Sequence, residues 1–171
     1  SIGTSISFTL NFRKGSEEHL PKQHAFNIDT QVLKGKSILL VEDNSMNRVL
    51  ANTILSQYGA DVTEAHDGAM AIDVLRKGAF DLILMDIQMP VMDGLEATRL
   101  IRSEVDRGIP IIALTAYANK HEEQKCLAAG MNDFISKPFD EDKMVQLVAQ
   151  WLGRESRIKE KVTKAKQVKK A

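Results

Sequence analysis

The stretch "LILMDIQMP", residues 82–90, joins an apolar run to a carboxylate. Leu82 to Met85 are apolar enough for a buried strand, the run stops at Asp86, and Pro90 follows shortly after. A lone charge beside a hydrophobic core costs free energy unless it is paired or binds a metal ion. The stretch therefore predicts a buried strand with a polar site at its end.

Similar apolar segments, each followed by a helical pattern, occur on both sides of this stretch. The predicted strands are residues 37–41, 61–65, 80–85, 110–114 and 133–136. Asn44, Asp67, Asp93 and Asp140 are placed to cap four of the helices, and the remaining helix ends at Gly130. The first helix has apolar residues at helical spacing, namely Met46, Val49, Leu50, Ile54, Leu55 and Tyr58.

This alternation predicts parallel strands joined by right-handed crossovers. Strands buried on both faces should be uniformly apolar, which holds for the first, third and fourth strands. The second and fifth strands are polar or short and belong at the edges. The predicted fold is thus α/β, a doubly wound, flavodoxin-like five-stranded parallel sheet of order 2-1-3-4-5. Folds of this kind bind ligands at the carboxyl ends of the strands.

Polar residues follow four of the five strands: Glu42 and Asp43, then Asp86, Thr115 and Lys137. All these strand ends meet at one edge of a parallel sheet, so three carboxylates, a hydroxyl and an ammonium should converge there. Three acids in a partly desolvated cleft repel one another, and a hard cation such as Mg²⁺ relieves the repulsion. The ammonium adds positive charge for an anion that arrives beside the metal ion, and phosphate is the obvious candidate.

The flanking regions differ in composition from residues 36–152. That middle region has 18 acidic and 11 basic residues, whereas residues 153–171 have 2 acidic and 8 basic, which predicts a basic, solvated C-terminal extension. Residues 1–13 include an alternating, strand-like pattern, and residues 14–35 are polar and aperiodic, as expected for a linker. No apolar run is long enough to cross a membrane, and the single cysteine, Cys126, fits a cytoplasmic location.

Four motifs resemble the receiver domain of two-component signalling: "ILLVEDN", "LILMDIQMPVMDGLEATRLIR", "IIALTA" and "DFISKPF". They agree with that family in order and spacing, and the resemblance spans residues 36–152. The sequences of these motifs most resemble those of receivers attached to hybrid histidine kinases. The segment "GTSISFTLNF", within residues 1–13, resembles the closing strand of a histidine kinase ATP-binding domain.

The resemblance implies a role for each residue at the predicted site. Asp86 would be the phosphoacceptor, which takes a phosphoryl group from a phosphohistidine. Asp43 and Asp86 would bind Mg²⁺ directly, Glu42 would bind it through water, and Gln88 through its backbone carbonyl. These roles suit phosphoryl transfer, which needs alignment and charge neutralisation more than covalent help.

The resemblance also implies how the site would communicate with the surface. Thr115 and Lys137 would hold the phosphoryl oxygens, and the Lys137–Pro138 peptide would be cis. Phe134 has two interpretations: a switch aromatic that turns when Thr115 moves, or an ordinary core residue. In the first case, phosphorylation would change the surface formed by the fourth helix, fifth strand and fifth helix.

Three functional hypotheses follow. The favoured one is a cytoplasmic receiver from a hybrid histidine kinase, whose membrane anchor, if it has one, would lie in a sensor region outside this chain. Its partner would be a histidine kinase domain or a histidine phosphotransfer protein, and a weak dimer is compatible with this hypothesis. The second is a stand-alone receiver that binds a partner when phosphorylated. The third, a phosphohydrolase, is disfavoured because Gln88 stands where a second aspartate is needed. The kinase's ATP site would precede Ser1, which leaves open whether the chain itself is an enzyme. We expect neither nucleic-acid binding nor membrane contact by this chain.

Overall fold

A computed structural model of the chain describes residues 30–116 and 119–168. The strands are β1 (Ser37–Val41), β2 (Asp61–Ala65), β3 (Leu82–Asp86), β4 (Ile111–Thr115) and β5 (Asp133–Ser136). The helices are α1 (Ser45–Gln57), α2 (Gly68–Lys77), α3 (Gly94–Leu100), α4 (Lys120–Ala129) and α5 (Glu141–Val168). The strand-like segment predicted within residues 1–13 lies outside the described residues.

The five strands form one parallel sheet in the order β2-β1-β3-β4-β5, which confirms the predicted fold class and strand order. One face of the sheet packs against α1 and α5, and the other packs against α2, α3 and α4. Successive residues of a strand point to opposite faces, so Leu39 and Ile83 join one core while Leu40 and Leu84 join the other. The interior strands are buried on both faces, which explains their uniformly apolar sequences.

The observed boundaries of β1, β2 and β5 agree with the sequence patterns, whereas β3 and β4 both start and end later than predicted. β3 includes Asp86 and β4 includes Thr115, because their backbones still pair with the neighbouring strand. The predicted caps are confirmed: Asn44, Asp67, Asp93 and Asp140 each accept a hydrogen bond from a backbone N–H two or three residues later. These caps fix where four of the helices begin, at the edge of the sheet where the carboxyl ends of the strands lie (the site edge).

The last residues of the predicted linker, residues 14–35, have secondary structure. Residues Thr30–Leu33, which the sequence pattern assigns to that linker, form a 3₁₀ helix. Leu33 is fully buried in the core on the α1–α5 side, and the 3₁₀ helix packs against α5. The folded domain thus includes residues before Lys36, because Leu33 is buried in the core and Val32 packs against it.

The helix α5 extends beyond residue 152, the predicted end of the domain. It has 28 residues and continues without a break past Leu152, where the sequence predicts the start of the basic extension. Near this boundary the indole of Trp151 donates a hydrogen bond to Asp133 in β5 at 3.1 Å, and the guanidinium of Arg154 lies 4.8 Å from the indole ring centroid. Within the described residues, no helix combines the length and apolarity that crossing a bilayer requires.

The helix α1 is confirmed, but its apolar residues occupy two faces. Ala51, Ile54 and Leu55 are buried against the sheet. Three other apolar side chains point to solvent, with exposed fractions of 79% for Met46, 64% for Val49 and 46% for Leu50. Since a surface helix normally has one apolar stripe, the second stripe needs an explanation other than the core.

Candidate functional site

The three predicted acids converge at the carboxyl ends of β1 and β3. One carboxylate oxygen each from Glu42, Asp43 and Asp86 lies within 4.8 Å of the others. Glu42 is fully buried and Asp86 is 4% exposed, whereas Asp43 is exposed. Two of the three carboxylates are buried and all three lie close together, so the cluster concentrates negative charge and requires positive charge nearby.

Lys137 supplies positive charge from the loop after β5. Its Nζ donates a hydrogen bond to Asp86 Oδ2 at 2.6 Å and lies 2.6 Å from Glu42 Oε2. The contact between Lys137 and Glu42 is an ion pair, and Glu42 Oε2 accepts no hydrogen bond from the described residues. The other oxygen, Glu42 Oε1, accepts a hydrogen bond from the side chain of Asn47 at 3.0 Å.

The backbone places Lys137 and Thr115 side by side. The N–H of Lys137 donates to the carbonyl of Thr115 at 2.7 Å, and the Lys137–Pro138 peptide is cis, as predicted. Thr115 is buried at the end of β4, next to β3. In the β3–α3 loop, the N–H of Gln88 donates to Asp86 Oδ1 at 3.1 Å, while the Gln88 side chain is exposed. The site thus joins four of the five strand ends.

Gly94 fixes the start of α3 against the end of β3. Its N–H donates to the carbonyl of Ile87 at 2.9 Å. A Cβ atom at this position would collide with the backbone carbonyl of Asp86. The close approach of these two backbone segments therefore requires glycine, and it keeps the start of α3 against the backbone of Asp86.

Burial raises the pKa of Asp86 from 3.8 to about 6. Removal of the carboxylate from water is the main cause, and repulsion from Glu42 acts in the same direction. The hydrogen bond from Lys137, the charge of Lys137 and the N–H of Gln88 lower the pKa but do not cancel the effect of burial. A carboxylate with a raised pKa gains most from an added cation.

The donor set fits a hard divalent cation. The cluster offers carboxylate oxygens only, and one of its three members, Asp43, faces solvent. Mg²⁺ prefers such a site, with a few carboxylates, several waters and room for a phosphate oxygen.

Two features of the site were missed by the sequence analysis. Arg48 of α1 donates to the backbone carbonyls of Glu42 and Asp43 at 2.7 and 3.1 Å, and to the carboxylate of Glu64 in β2 at 3.2 Å. Its position four residues after Asn44 places it one helical turn beyond the cap, and this spacing could have revealed it. The other feature is a set of exposed apolar side chains.

These apolar side chains border the acidic cluster. Met46 and Met70 lie in the first turns of α1 and α2, and Val91 lies in the β3–α3 loop, so all three are at the site edge of the sheet. Val91 is 88% exposed and has a φ of 69°. This left-handed conformation is unfavourable for a β-branched residue, and such strain is common at functional sites.

The sequence model of one protein family, the response regulator receiver domain, matches residues 38–149. Among curated proteins, hybrid signal transduction histidine kinase B of Dictyostelium discoideum is 42% identical over 133 residues. The matched region covers 70% of this chain but only 7% of that kinase. The chain thus spans a small part of the length of this curated relative.

Two solved structures are similar over the same region. The receiver domain of sensor histidine kinase PA1611 from Pseudomonas aeruginosa PAO1, with a magnesium ion coordinated in its active-site cleft, is 43% identical. The match has a TM-score of 0.65 and covers 70% of this chain and 98% of that chain. The second structure is the complex of the Ssk1 receiver domain of Saccharomyces cerevisiae with the histidine phosphotransfer protein Ypd1. The match has 27% identity and a TM-score of 0.67, and it covers 72% of this chain and 92% of the matched chain.

In metal-free protein, we expect Asp86→Asn to raise the free energy of unfolding at pH 7. The pKa of Asp86 is about 6 in the folded protein against an ordinary value of 3.8. The folded state therefore holds the proton more tightly, and wild-type stability falls as the pH rises from about 4 to about 6. The gain should be on the order of 1–3 kcal/mol above about pH 6 and should shrink towards zero near pH 4.

Urea denaturation in EDTA across this pH range measures the gain. The control Asp73→Asn changes an exposed carboxylate on α2 and should shift stability by less than about 0.5 kcal/mol at any pH. An Asp86→Asn variant less stable than wild type at pH 7 would show that Lys137 outweighs burial.

Proposed function

Because the chain belongs to the response regulator receiver domain family, we propose that it accepts a phosphoryl group from a phosphohistidine onto Asp86 in a two-component phosphorelay. The observation that supports this most directly is the convergence of three carboxylates within 4.8 Å, with Lys137 at 2.6 Å from two of them. The similarity to a hybrid histidine kinase supports a parent protein of that kind.

In the proposed step, a carboxylate oxygen of Asp86 attacks the phosphorus of the phosphohistidine. A P–O bond forms, the P–N bond breaks, and the imidazole leaves with the electron pair of that bond. The Lys137 ammonium and the Thr115 hydroxyl donate hydrogen bonds to the phosphoryl oxygens. The N–H of Gln88 holds the attacking carboxylate, and Gly94 allows α3 to start against the backbone of Asp86. Catalysis of this kind depends on positioning and on charge stabilisation.

The acidic cluster would hold Mg²⁺ through Asp43 and Asp86, with Glu42 acting through water and Gln88 through its backbone carbonyl. When bound, the ion neutralises charge on the phosphoryl oxygens and helps to align them with the carboxylate. The solvent-facing position of Asp43 and the magnesium in the cleft of a receiver 43% identical to this one support the assignment.

A phosphohistidine belongs to a protein, so the donor surface must rest against the site edge. We assign this contact to the exposed apolar residues Met46, Val49 and Leu50 of α1, with a histidine phosphotransfer protein as the partner. The contact explains why α1 has a second apolar stripe that the core does not use. The complex between a related receiver and a histidine phosphotransfer protein supports this kind of partner.

The output of phosphorylation would be a change of the α4–β5–α5 surface. Thr115 is buried beside β5, and Phe134 is half-buried opposite Ala113 in the β4–β5 pair. If the Thr115 hydroxyl moves towards the phosphoryl group, Phe134 can turn into the space it leaves. A partner that prefers the new surface would then shift the population of states.

Acetyl phosphate with Mg²⁺ should add one phosphoryl group to the wild-type protein, as read from its intact mass. Asp86→Asn should abolish the addition, because the amide is a poor nucleophile. Asp73→Asn, in which an exposed carboxylate is lost, should be modified like the wild type. Full modification of the Asp86→Asn variant would place the phosphoacceptor elsewhere.

The double variant Val49→Ser/Leu50→Ser should slow transfer from a phosphorylated histidine phosphotransfer protein by about tenfold or more, since buried apolar contacts dominate binding energy. Its modification by acetyl phosphate should be unchanged, because that donor needs no docking surface. Leu127→Ser, which removes a 53% exposed leucine from α4, serves as the matched control. Wild-type transfer by the double variant would exclude the α1 contact.

Beryllofluoride, a mimic of the phosphoryl group, should shift amide NMR signals at Asp86, along α4 and around Phe134. Thr115→Ala should reduce the shifts at Phe134 while the mimic still binds, because the hydroxyl links the two places. Thr63→Ala, at an exposed position of the edge strand β2, should leave them intact. Undiminished Phe134 shifts in Thr115→Ala would make Phe134 an ordinary core residue.

A further inference from the structure

We propose that Arg48 is a positioning residue for the metal site: its guanidinium holds the backbone of the Glu42–Asp43 segment so that the Asp43 carboxylate faces the cation. The inference rests on the proposed function, since it takes the acidic cluster as the Mg²⁺ site. It concerns a residue outside the cluster that would act only through the backbone.

The first step in the argument is the end of the β1 strand. β1 pairs with β2 as far as Val41 and Ala65, and the N–H of Glu42 still donates to the carbonyl of Ala65 at 3.1 Å. β1 ends at Val41, so the carbonyls of the next two residues, Glu42 and Asp43, lie beyond the paired residues of the strand. Nη1 of Arg48 donates to both of them. A side chain thus replaces the strand pairing that the acidic segment has left.

The second step is that Arg48 itself is held firmly. Its Nε donates to Glu64 Oε2 on β2 at 3.2 Å, and Glu64 also accepts a hydrogen bond from Asn52 of α1. The Arg48 side chain is 20% exposed, so the ion pair is partly shielded from water. The planar fork of a guanidinium can reach the carboxylate and both carbonyls together, which a lysine ammonium cannot do in the same geometry.

The third step compares the supports of the three acids. Glu42 is held by Asn47 and Lys137, and Asp86 is held by Lys137 and the N–H of Gln88. Asp43 is exposed, and Arg48 binds its backbone carbonyl and that of the preceding residue. Its carboxylate direction therefore depends on the backbone that Arg48 fixes.

Titration of the full chain with Mg²⁺, followed by calorimetry or amide NMR, tests the inference. Arg48→Gln should weaken Mg²⁺ binding about tenfold, the lower end of the loss seen when an outer support of a metal ligand is removed. Arg48→Lys should lie between Arg48→Gln and the wild type. Arg76→Gln, which removes an exposed arginine of α2 paired with Glu104 at 3.3 Å, should bind Mg²⁺ like the wild type.

A second readout separates positioning from general stability. Modification of Arg48→Gln by acetyl phosphate should slow at low Mg²⁺ and approach the wild-type rate at saturating Mg²⁺, whereas partial unfolding would lower the rate at every concentration. If Arg48→Gln does not fold, Glu64→Gln removes the charge that holds the guanidinium, and it should weaken Mg²⁺ binding in the same direction by a smaller factor.

Wild-type Mg²⁺ affinity in a folded Arg48→Gln protein would overturn the positioning role. If Arg48→Gln does not fold, wild-type affinity in Glu64→Gln would overturn it. That result leaves the proposed function intact as long as the wild type gains its phosphoryl group. Failure of the wild type to gain it would overturn the proposed function, while the Mg²⁺ titration still decides the role of Arg48.

Discussion

Two buried carboxylates share one ammonium in this protein, and the architecture around them keeps that arrangement in place. Lys137 Nζ lies 2.6 Å from both Asp86 and Glu42, although the three residues belong to different strand ends. Three elements must therefore keep their register: β1, β3 and the loop after β5. The backbone bond from Lys137 to Thr115 and the close contact of Gly94 with Asp86 fix two of these positions.

The strain that this arrangement causes is electrostatic rather than steric. Burial raises the pKa of Asp86 even though Lys137 donates a hydrogen bond to it. A fold selected for stability alone would put hydrophobic groups here, since buried ion pairs are seldom more stable than apolar replacements. The cluster fits the proposed function, in which a cation and a phosphoryl group would complete its charges.

The sequence predicted the sheet almost completely, because the interior strands are apolar runs and the polar strands had to lie at the edges. Its errors were local. Relative to the predicted strands, β3 starts two residues later and β4 one residue later. Both also end one residue later, since a polar side chain does not stop the backbone of Asp86 or Thr115 from pairing. The assignment of Leu33 to a linker was wrong, because the adjacent apolar pair Val32 and Leu33 is too short to show a periodicity.

The candidate site was predicted in part. The acids, Thr115 and Lys137 follow strand ends, so topology alone brings them to one edge. Arg48 was missed because two of its three contacts are with backbone carbonyls, and only its position one helical turn after the Asn44 cap could have indicated it. The exposed side of α1 was also missed: Met46 and Leu50 fit the helical period as well as the buried residues do, and only the structure separates the two stripes.

The contact between Trp151 and Asp133 has a practical consequence. Trp151 is the single tryptophan of the chain, and its indole joins α5 to the first residue of β5, one position before Phe134. Its fluorescence therefore arises from one known place, where a hydrogen bond to a carboxylate and a stacked guanidinium both affect the emission of the ring. The protein thus contains its own optical probe of the α5–β5 surface, and movement there can be followed in real time without a label.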